Sequence, residues 1–443
     1  MKPIRIGTGA GFSGDRIGPA VDLARDGALD FLVFECLAER TIALAQIDRL
    51  RNPAAGYDRH LERRMRAVLP DCHRNGTRII TNMGAANPEE AARKTAEIVA
   101  ELGLPLKVAS VSGDDVLDRI GACALDETGQ PAAALGDRLV SANAYLGAGG
   151  IVQALNRGAD IVICGRVADP SLFVAAMVHA FGWSLDDHHM IGKATVVGHL
   201  MECGPQVTGG YFADPGVKDV PDLATVGYPI AEVAQDGSCV ITKLPGSGGL
   251  VSRATCIEQL LYELHDPAQY FQPDVIADFS SVDFQEIGPN RVAVTGGSGT
   301  PATGYYKVSV GARDGWIGQG EISYAGPGAV ARARLAGQIT TERLRPFSNR
   351  IEDMRTDIIG LDAILPGSGT APDPRDVRLR VAARCTDSEA AQAVADEVEG
   401  LYLSGPAGGG GVTTQLREVI GIRSAYLAAA DVPISVQIVG EPA

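Results

Sequence analysis

Five short stretches at 3–7, 30–35, 77–82, 106–111 and 160–164 are apolar nearly throughout, not on alternate residues. Helical stretches separate them, near 17–26, 40–50, 57–70, 88–102, 113–119 and 148–157. A strand that is apolar on both sides must be covered on both faces, and intervening helices are what cover it. The expected fold is therefore α/β: an N-terminal, mostly parallel, doubly wound sheet with helices on both faces. It is assigned to a Rossmann-like domain over residues 1–205. Ligands of such sheets sit beyond the carboxyl ends of the strands, so the residues at those ends become the candidates.

The first strand runs into Gly9, Gly11 and Gly14, which fit G-x-G-x-x-G. Small residues there let backbone approach a pyrophosphate, and the next helix offers free N–H groups. The second strand ends at Glu35, 21 residues after Gly14, where a dinucleotide-binding unit places its ribose-reading acid. A tight turn that binds no nucleotide satisfies the same pattern. The third strand ends at Asn82, the fourth at Ser110, Ser112 and Asp114, and the fifth at Gly165-Arg166-Val167-Ala168-Asp169. Asn87 and Asp114 each read as helix N-caps. Arg166 reads as a grip for a carboxylate or phosphate, or as the partner of Asp169.

Residues 199–210, His199-Leu200-Met201-Glu202-Cys203-Gly204-Pro205-Gln206-Val207-Thr208-Gly209-Gly210, gather several reactive types. Glu202 is a candidate acid or base, and Cys203 a candidate nucleophile or a buried small apolar residue. Lys243 precedes a loop of Gly246, Ser247, Gly248 and Gly249 and then a helix at 251–264, an anion-binding arrangement. From 275 the pattern changes to short strands at 275–280, 291–295, 304–310 and 316–323. Ala312-Arg313-Asp314-Gly315 reads as a hairpin turn between the last two. A helix at 328–343, a strand at 377–384 and a helix at 387–400 follow. The run Ser404 to Thr414 holds Gly408, Gly409, Gly410 and Gly411, reads as a ligand loop opening another helix, and precedes a last strand at 433–439. Residues 206–443 are thus expected to form a second α/β domain with a mixed or antiparallel sheet.

Charge and composition narrow the function. Net charge is −15 in 443 residues, which disfavours nucleic acid and anionic membranes as partners. No apolar run is long enough to span a bilayer and no leader precedes the first strand, so a cytoplasmic protein is expected. The eight cysteines form no C-x-x-C, so neither a disulfide framework nor a metal site is expected.

The glycine opening, Cys164-Gly165-Arg166-Val167-Ala168-Asp169 and Glu202-Cys203-Gly204-Pro205-Gln206-Val207-Thr208-Gly209-Gly210 carry a family resemblance. So do Lys243 to Gly249, Glu258 to Glu263, Asp266-Pro267 and Gly405 to Gly411. Together they resemble the acyclic terpene utilisation AtuA family over nearly the whole chain. The resemblance implies breakdown of branched acyclic terpenoids through acyl-coenzyme A intermediates, and carries over no catalytic residue. It also implies a small C-terminal domain in longer members, here expected as a separate subunit, and a homo-oligomer is the base-rate expectation.

The leading expectation is a catabolic enzyme acting on a branched or acyclic acyl-CoA thioester or related small carboxylate, by hydration, dehydration or C–C cleavage. Glu202 or Glu35 would be the base, with Asp169 and Cys203 beside them. Arg166 and Lys243 would hold the anion, and the amides of 246–249 and 408–411 would face the oxyanion. No bound cofactor is identified; coenzyme A enters as part of the substrate. A nicotinamide-dependent oxidoreductase and a non-catalytic subunit are the alternatives.

Overall fold

The computed structural model describes residues 2–365 and 374–441. In chain order its first strands are β1 (Ile4–Ala10), β2 (Phe31–Phe34), β3 (Arg78–Thr81), β4 (Val108–Ser112), β5 (Leu139–Ala144), β6 (Ile161–Cys164), β7 (Pro229–Val233) and β8 (Cys239–Lys243). The helices among them are α1 (Gly18–Asp26), α2 (Glu39–Arg51), α3 (Leu61–Asn75), α4 (Pro88–Glu101), α5 (Gly149–Asn156), α6 (Ser171–Phe181) and α7 (His188–Glu202), followed by α8 (Arg253–Leu261).

Strands β1, β2, β3, β6 and β4 lie side by side in that order, all parallel. Antiparallel strands extend this core on both sides. Beyond β1 come β7, β8, Arg291–Thr295 and Asp283–Gly288; beyond β4 comes Ser435–Ile438. From β1 to β4 the chain advances in one direction across the sheet, then steps back to β6. Right-handed crossovers therefore put α1, α3 and α4 on one face and α5 and α6 on the other. The packing agrees: α1, α3 and α4 touch in series, and α5 touches α6, which touches α7. The first face is filled by Leu23, Met65, Val68, Leu69, Ala91 and Ile98 against Leu32, Phe34, Ile79 and Ile161.

Neighbouring β3 and β6 thus feed helices on opposite faces. That is the switch point where a parallel sheet opens a crevice above its strand ends. It is not the dinucleotide topology, because the outer neighbour of β1 is the antiparallel β7.

The chain divides into two compact units, residues 1–311 with 422–443, and residues 312–421. A boundary drawn at 205/206 does not match this division, because β7, β8 and the strands at 283–295 complete the first unit's own sheet. In the second unit, Ile351–Ile359, Asp376–Cys385 and the later part of Tyr305–Ala325 form an antiparallel sheet. Helices Ala329–Arg343 and Ser388–Glu399 cover it around Ile322, Leu379, Val381 and Val394.

Three sequence expectations fail locally. Residues 113–119 form no α-helix: Asp114 instead accepts hydrogen bonds from Arg166 N (3.0 Å) and Asn143 Nδ2 (2.9 Å), so it is no N-cap. Asn87, by contrast, does stand at the N-cap of α4, its carbonyl accepting from Ala91 N, although its side-chain amide donates to the carbonyls of Pro53 and Ala55 and makes no cap bond. The Asp314-Gly315 pair is no hairpin, since one strand runs from Tyr305 to Ala325 and Gly315 takes a φ of +89° within it. The residues after the glycine run form a strand, Gly410–Ala428, not a helix.

Candidate active site

The glycine turn after β1 is built to pack, not to cradle. A Cβ at Gly11 would overlap the Cys203–Gly204 peptide, 2.7 Å from Gly204 N, and one at Gly9 would overlap the Phe34 ring. Gly14 lies against the ring of Phe12. The Gly11 amide already donates to Asp15 Oδ2 at 2.7 Å, so the chain's own carboxylate occupies that anion position. Buried Arg64 holds the turn from beneath through the carbonyls of Ser13 (2.8 Å) and Asp15 (3.2 Å). Glu35 does not read a ribose. Its Oε1 accepts from Leu37 N (2.8 Å) and Asn82 Nδ2 (2.9 Å), while Asn82 Oδ1 accepts from Cys36 N (2.7 Å).

Above these strand ends, within the first unit, lies a crevice of about 1090 Å³. Gly11, Glu35, Asp169 and Cys203 line it. Just behind them stand Asn82, Asp114 and Arg166, all buried. Arg166 is 1% exposed and spends its guanidinium inward, on Leu37 O, on Val167 O at 2.9 Å and on Asp169. Its face lies 4.3 Å from the centre of the Tyr145 ring. The internal Arg166–Asp169 pair is therefore the reading that holds, and Arg166 is a scaffold for carboxylates, not a grip on a ligand.

The carboxyls around this cation differ in state. Burial pushes Glu35 well above the usual carboxylate range, and Asp169 adds to the push; Arg166, the Leu37 amide and Asn82 offset only part of it. Burial also raises Asp169, but less far, because Arg166 opposes it both by charge and by a hydrogen bond, and the side chain is 37% exposed. Glu35 is thus the group that keeps its proton, and Asp169 the one better able to ionise.

Helix α7 delivers the next set. Its last turn puts His199 and Glu202 on one face, three residues apart. His199 Nδ1 lies 2.8 Å from Glu202 Oε1, and Nε2 3.1 Å from Leu260 O. Thr8 of β1 ties this turn to the sheet through Met201 O at 2.8 Å. Burial lifts Glu202 to about 7 despite His199, with Asp169 and Glu263 adding to the rise. Burial, then Glu202, raise the Cys203 thiol too. It stays protonated and is a poor nucleophile.

A pH signature follows. Glu202 keeps its proton to about pH 7 in the fold but loses it near 4.5 when unfolded, so the native state binds the extra proton between those values. Stability from this group is present below that window and falls as pH rises through it. His199, also raised, loses its contribution in the same direction. Glu202→Gln is expected to flatten this decline by on the order of 2 kcal/mol between pH 5 and 7, read from urea midpoints across that range.

The remaining predicted residues lie elsewhere. Lys243 donates to Ser247 O, and the Gly248 and Gly249 amides donate to Thr225 O and Pro221 O, both at 2.9 Å. The 243–249 loop, Gly246 included, is thus a folded turn that does not line the crevice. Gly408, Gly409 and Gly410 belong to the second unit, where a Cβ at Gly409 would come within 2.8 Å of Ile322 and 3.1 Å of Tyr324.

What sequence reasoning missed is the wall. Seven of the chain's eleven tyrosines line the crevice. Tyr145, Tyr262, Tyr270 and Tyr306 are half-buried; Tyr211, Tyr305 and Tyr426 are exposed. Glu39, Glu263 and Lys307 join them. Tyr211 and Glu263 hold left-handed backbone, φ +60° and +58°, a strain that concentrates at functional sites. The adjacent Tyr305-Tyr306-Lys307 was the one local hint. Among the described residues no cluster of His, Cys, Asp and Glu is arranged to hold a metal ion, and no helix is long and apolar enough to cross a membrane.

The family model described as acyclic terpene utilisation family protein AtuA matches residues 4–438. Comparison with the curated proteins and with the solved structures gives no match.

Proposed function

We propose that this chain, which belongs to the acyclic terpene utilisation AtuA family, is a catabolic enzyme that adds water to, or removes it from, a branched acyclic acyl thioester or related small carboxylate. The observation that carries the reading is the pair Glu35 and Asp169, lining one crevice around one buried guanidinium. Two carboxyls held in different protonation states are what a β-elimination of water requires. Asp169 takes the proton from the carbon beside the thioester carbonyl. Glu35 gives its proton to the 3-hydroxyl, which leaves as water while the C=C bond forms. Hydration runs the same steps backwards, and C–C cleavage of a 3-hydroxyacyl group would use the same base.

The tyrosine wall supports a largely uncharged, branched chain as the enclosed part of the substrate. Besides the protonated Glu35, four acidic side chains line the crevice, at Asp15, Glu39, Asp169 and Glu263, against Lys307 alone among cations of the described residues. A phosphate-bearing coenzyme A tail is thus better left outside it. Eight free thiols support a reducing compartment such as the cytoplasm.

The test is incubation with pantetheine thioesters of methyl-branched 3-hydroxy and 2-enoic acids, read by mass for gain or loss of one water. Turnover of a branched thioester in preference to its straight-chain homologue is the expected result. No water exchange with any of them, and no solvent deuterium entering beside the carbonyl, would sink the reading.

A further inference from the structure

Removing a proton beside a thioester carbonyl places negative charge on the carbonyl oxygen, and a donor must meet it. The donors expected for that role are absent from the crevice or already committed. Lys243 and the amides of Ser247, Gly248 and Gly249 are bonded to backbone carbonyls in a loop that does not line the crevice, and Arg166 faces inward. The geometry points to Lys307: we propose that its ammonium holds the carbonyl oxygen during the reaction proposed above, on which this inference rests, with Tyr145 and Glu39 as positioning residues.

Lys307 is the one cationic side chain lining the crevice among the described residues. Its place is fixed by backbone, because Lys307 O accepts from Tyr145 N at 2.9 Å where the strand beginning at Tyr305 runs beside β5. Its Nζ lies 3.5 Å from Glu39 Oε1 and 5.1 Å from the centre of the Tyr145 ring. An ammonium has three donors, and Glu39 engages it from one side. The Tyr145 hydroxyl donates to the same Glu39 oxygen at 2.5 Å. Glu39 stays ionised: burial opposes this, but the Tyr145 hydrogen bond, Arg166 and Lys307 together outweigh it. Lys307 is therefore a charged, oriented donor on a crevice wall shared with the acid and the base.

The experiment uses the pantetheine thioester of 3-hydroxy-3-methylbutanoic acid and its longer-chain homologues with the full chain. Lys307→Met is expected to lower both kcat and the rate of deuterium entry beside the carbonyl by about 10²–10³, with KM within a few-fold and an unchanged unfolding midpoint. Lys307→Arg is expected to recover most of the rate. Tyr145→Phe frees Glu39 and is expected to cost about tenfold through misplacement of Lys307. If Lys307→Met keeps kcat within threefold while Glu35→Gln abolishes it, the assignment of Lys307 is overturned and the acid/base reading stands. Should KM rise with kcat unchanged, Lys307 merely binds, and the proposal fails. Inertness of the wild type towards the whole series overturns both.

Discussion

Glu35→Gln is expected to lower turnover by about 10²–10⁴, the usual contribution of a positioned acid or base, and to leave the fold intact. Both hydrogen bonds at Glu35 fall on Oε1, from Leu37 N and Asn82 Nδ2, so the other oxygen carries the proton. Glutamine keeps the two-fold acceptor and supplies no transferable proton. Because burial already holds the native carboxyl neutral, the unfolding midpoint is expected to stay level or rise. Asp169→Asn removes the opposite partner, and is expected to abolish deuterium entry beside the carbonyl. In the wild type, activity is expected to fall at high pH as Glu35 ionises and at low pH as Asp169 is protonated. A Glu35→Gln protein within a few-fold of wild-type turnover would show that this carboxyl is structural.

Arg166→Met is expected to cost about 3 kcal/mol, read as a shift in the urea midpoint. Breaking a buried ion pair by removing one partner costs about 3–5 kcal/mol. The lower end applies because Asp169 is 37% exposed and regains water. The loss exceeds one ion pair in kind, since Leu37 O and Val167 O lose their donor and the Tyr145 ring loses the cation stacked on it. Burial alone would strip charge from the guanidinium; Asp169 first, with Glu39, keeps it charged, so the dependence is mutual. Without Arg166, Glu35 and Asp169 face each other uncompensated, and Asp169 holds its proton to higher pH. Arg166→Lys is expected to recover little, because a point charge cannot reach three acceptors in a plane. A Met variant as stable as the wild type would remove Arg166 from the centre of this arrangement.

The parallel core was legible because β1, β2, β3 and β6 are apolar on both sides and lie between amphipathic helices such as α3 and α4. Helices α6 and α7 escaped for the opposite reason. Every residue from Ser171 to Val178 is buried, so no polar stripe marks a helical period. The Asp314-Gly315 signal misled because local turn preference yields to the pairing of Trp316–Ala325 with Asp376–Cys385 along its whole length. At the site, Glu35, Asp169, Cys203 and Gly11 could be found because each ends a strand or helix that the pattern reveals. Lys243 and its glycines had the right residue types but used their donors on Ser247, Thr225 and Pro221, which no spacing discloses. The tyrosines come from six separate segments, and nothing in the linear order says that they meet.

Their meeting has a practical corollary. Trp183 and Trp316 are both absent from the crevice wall, whereas seven of eleven phenols stand on it. Near-ultraviolet dichroism in the phenolic band is therefore concentrated at one place in the molecule. The chain carries a built-in chromophore for occupancy, and unlabelled compounds can be ranked optically before any reaction has been assigned.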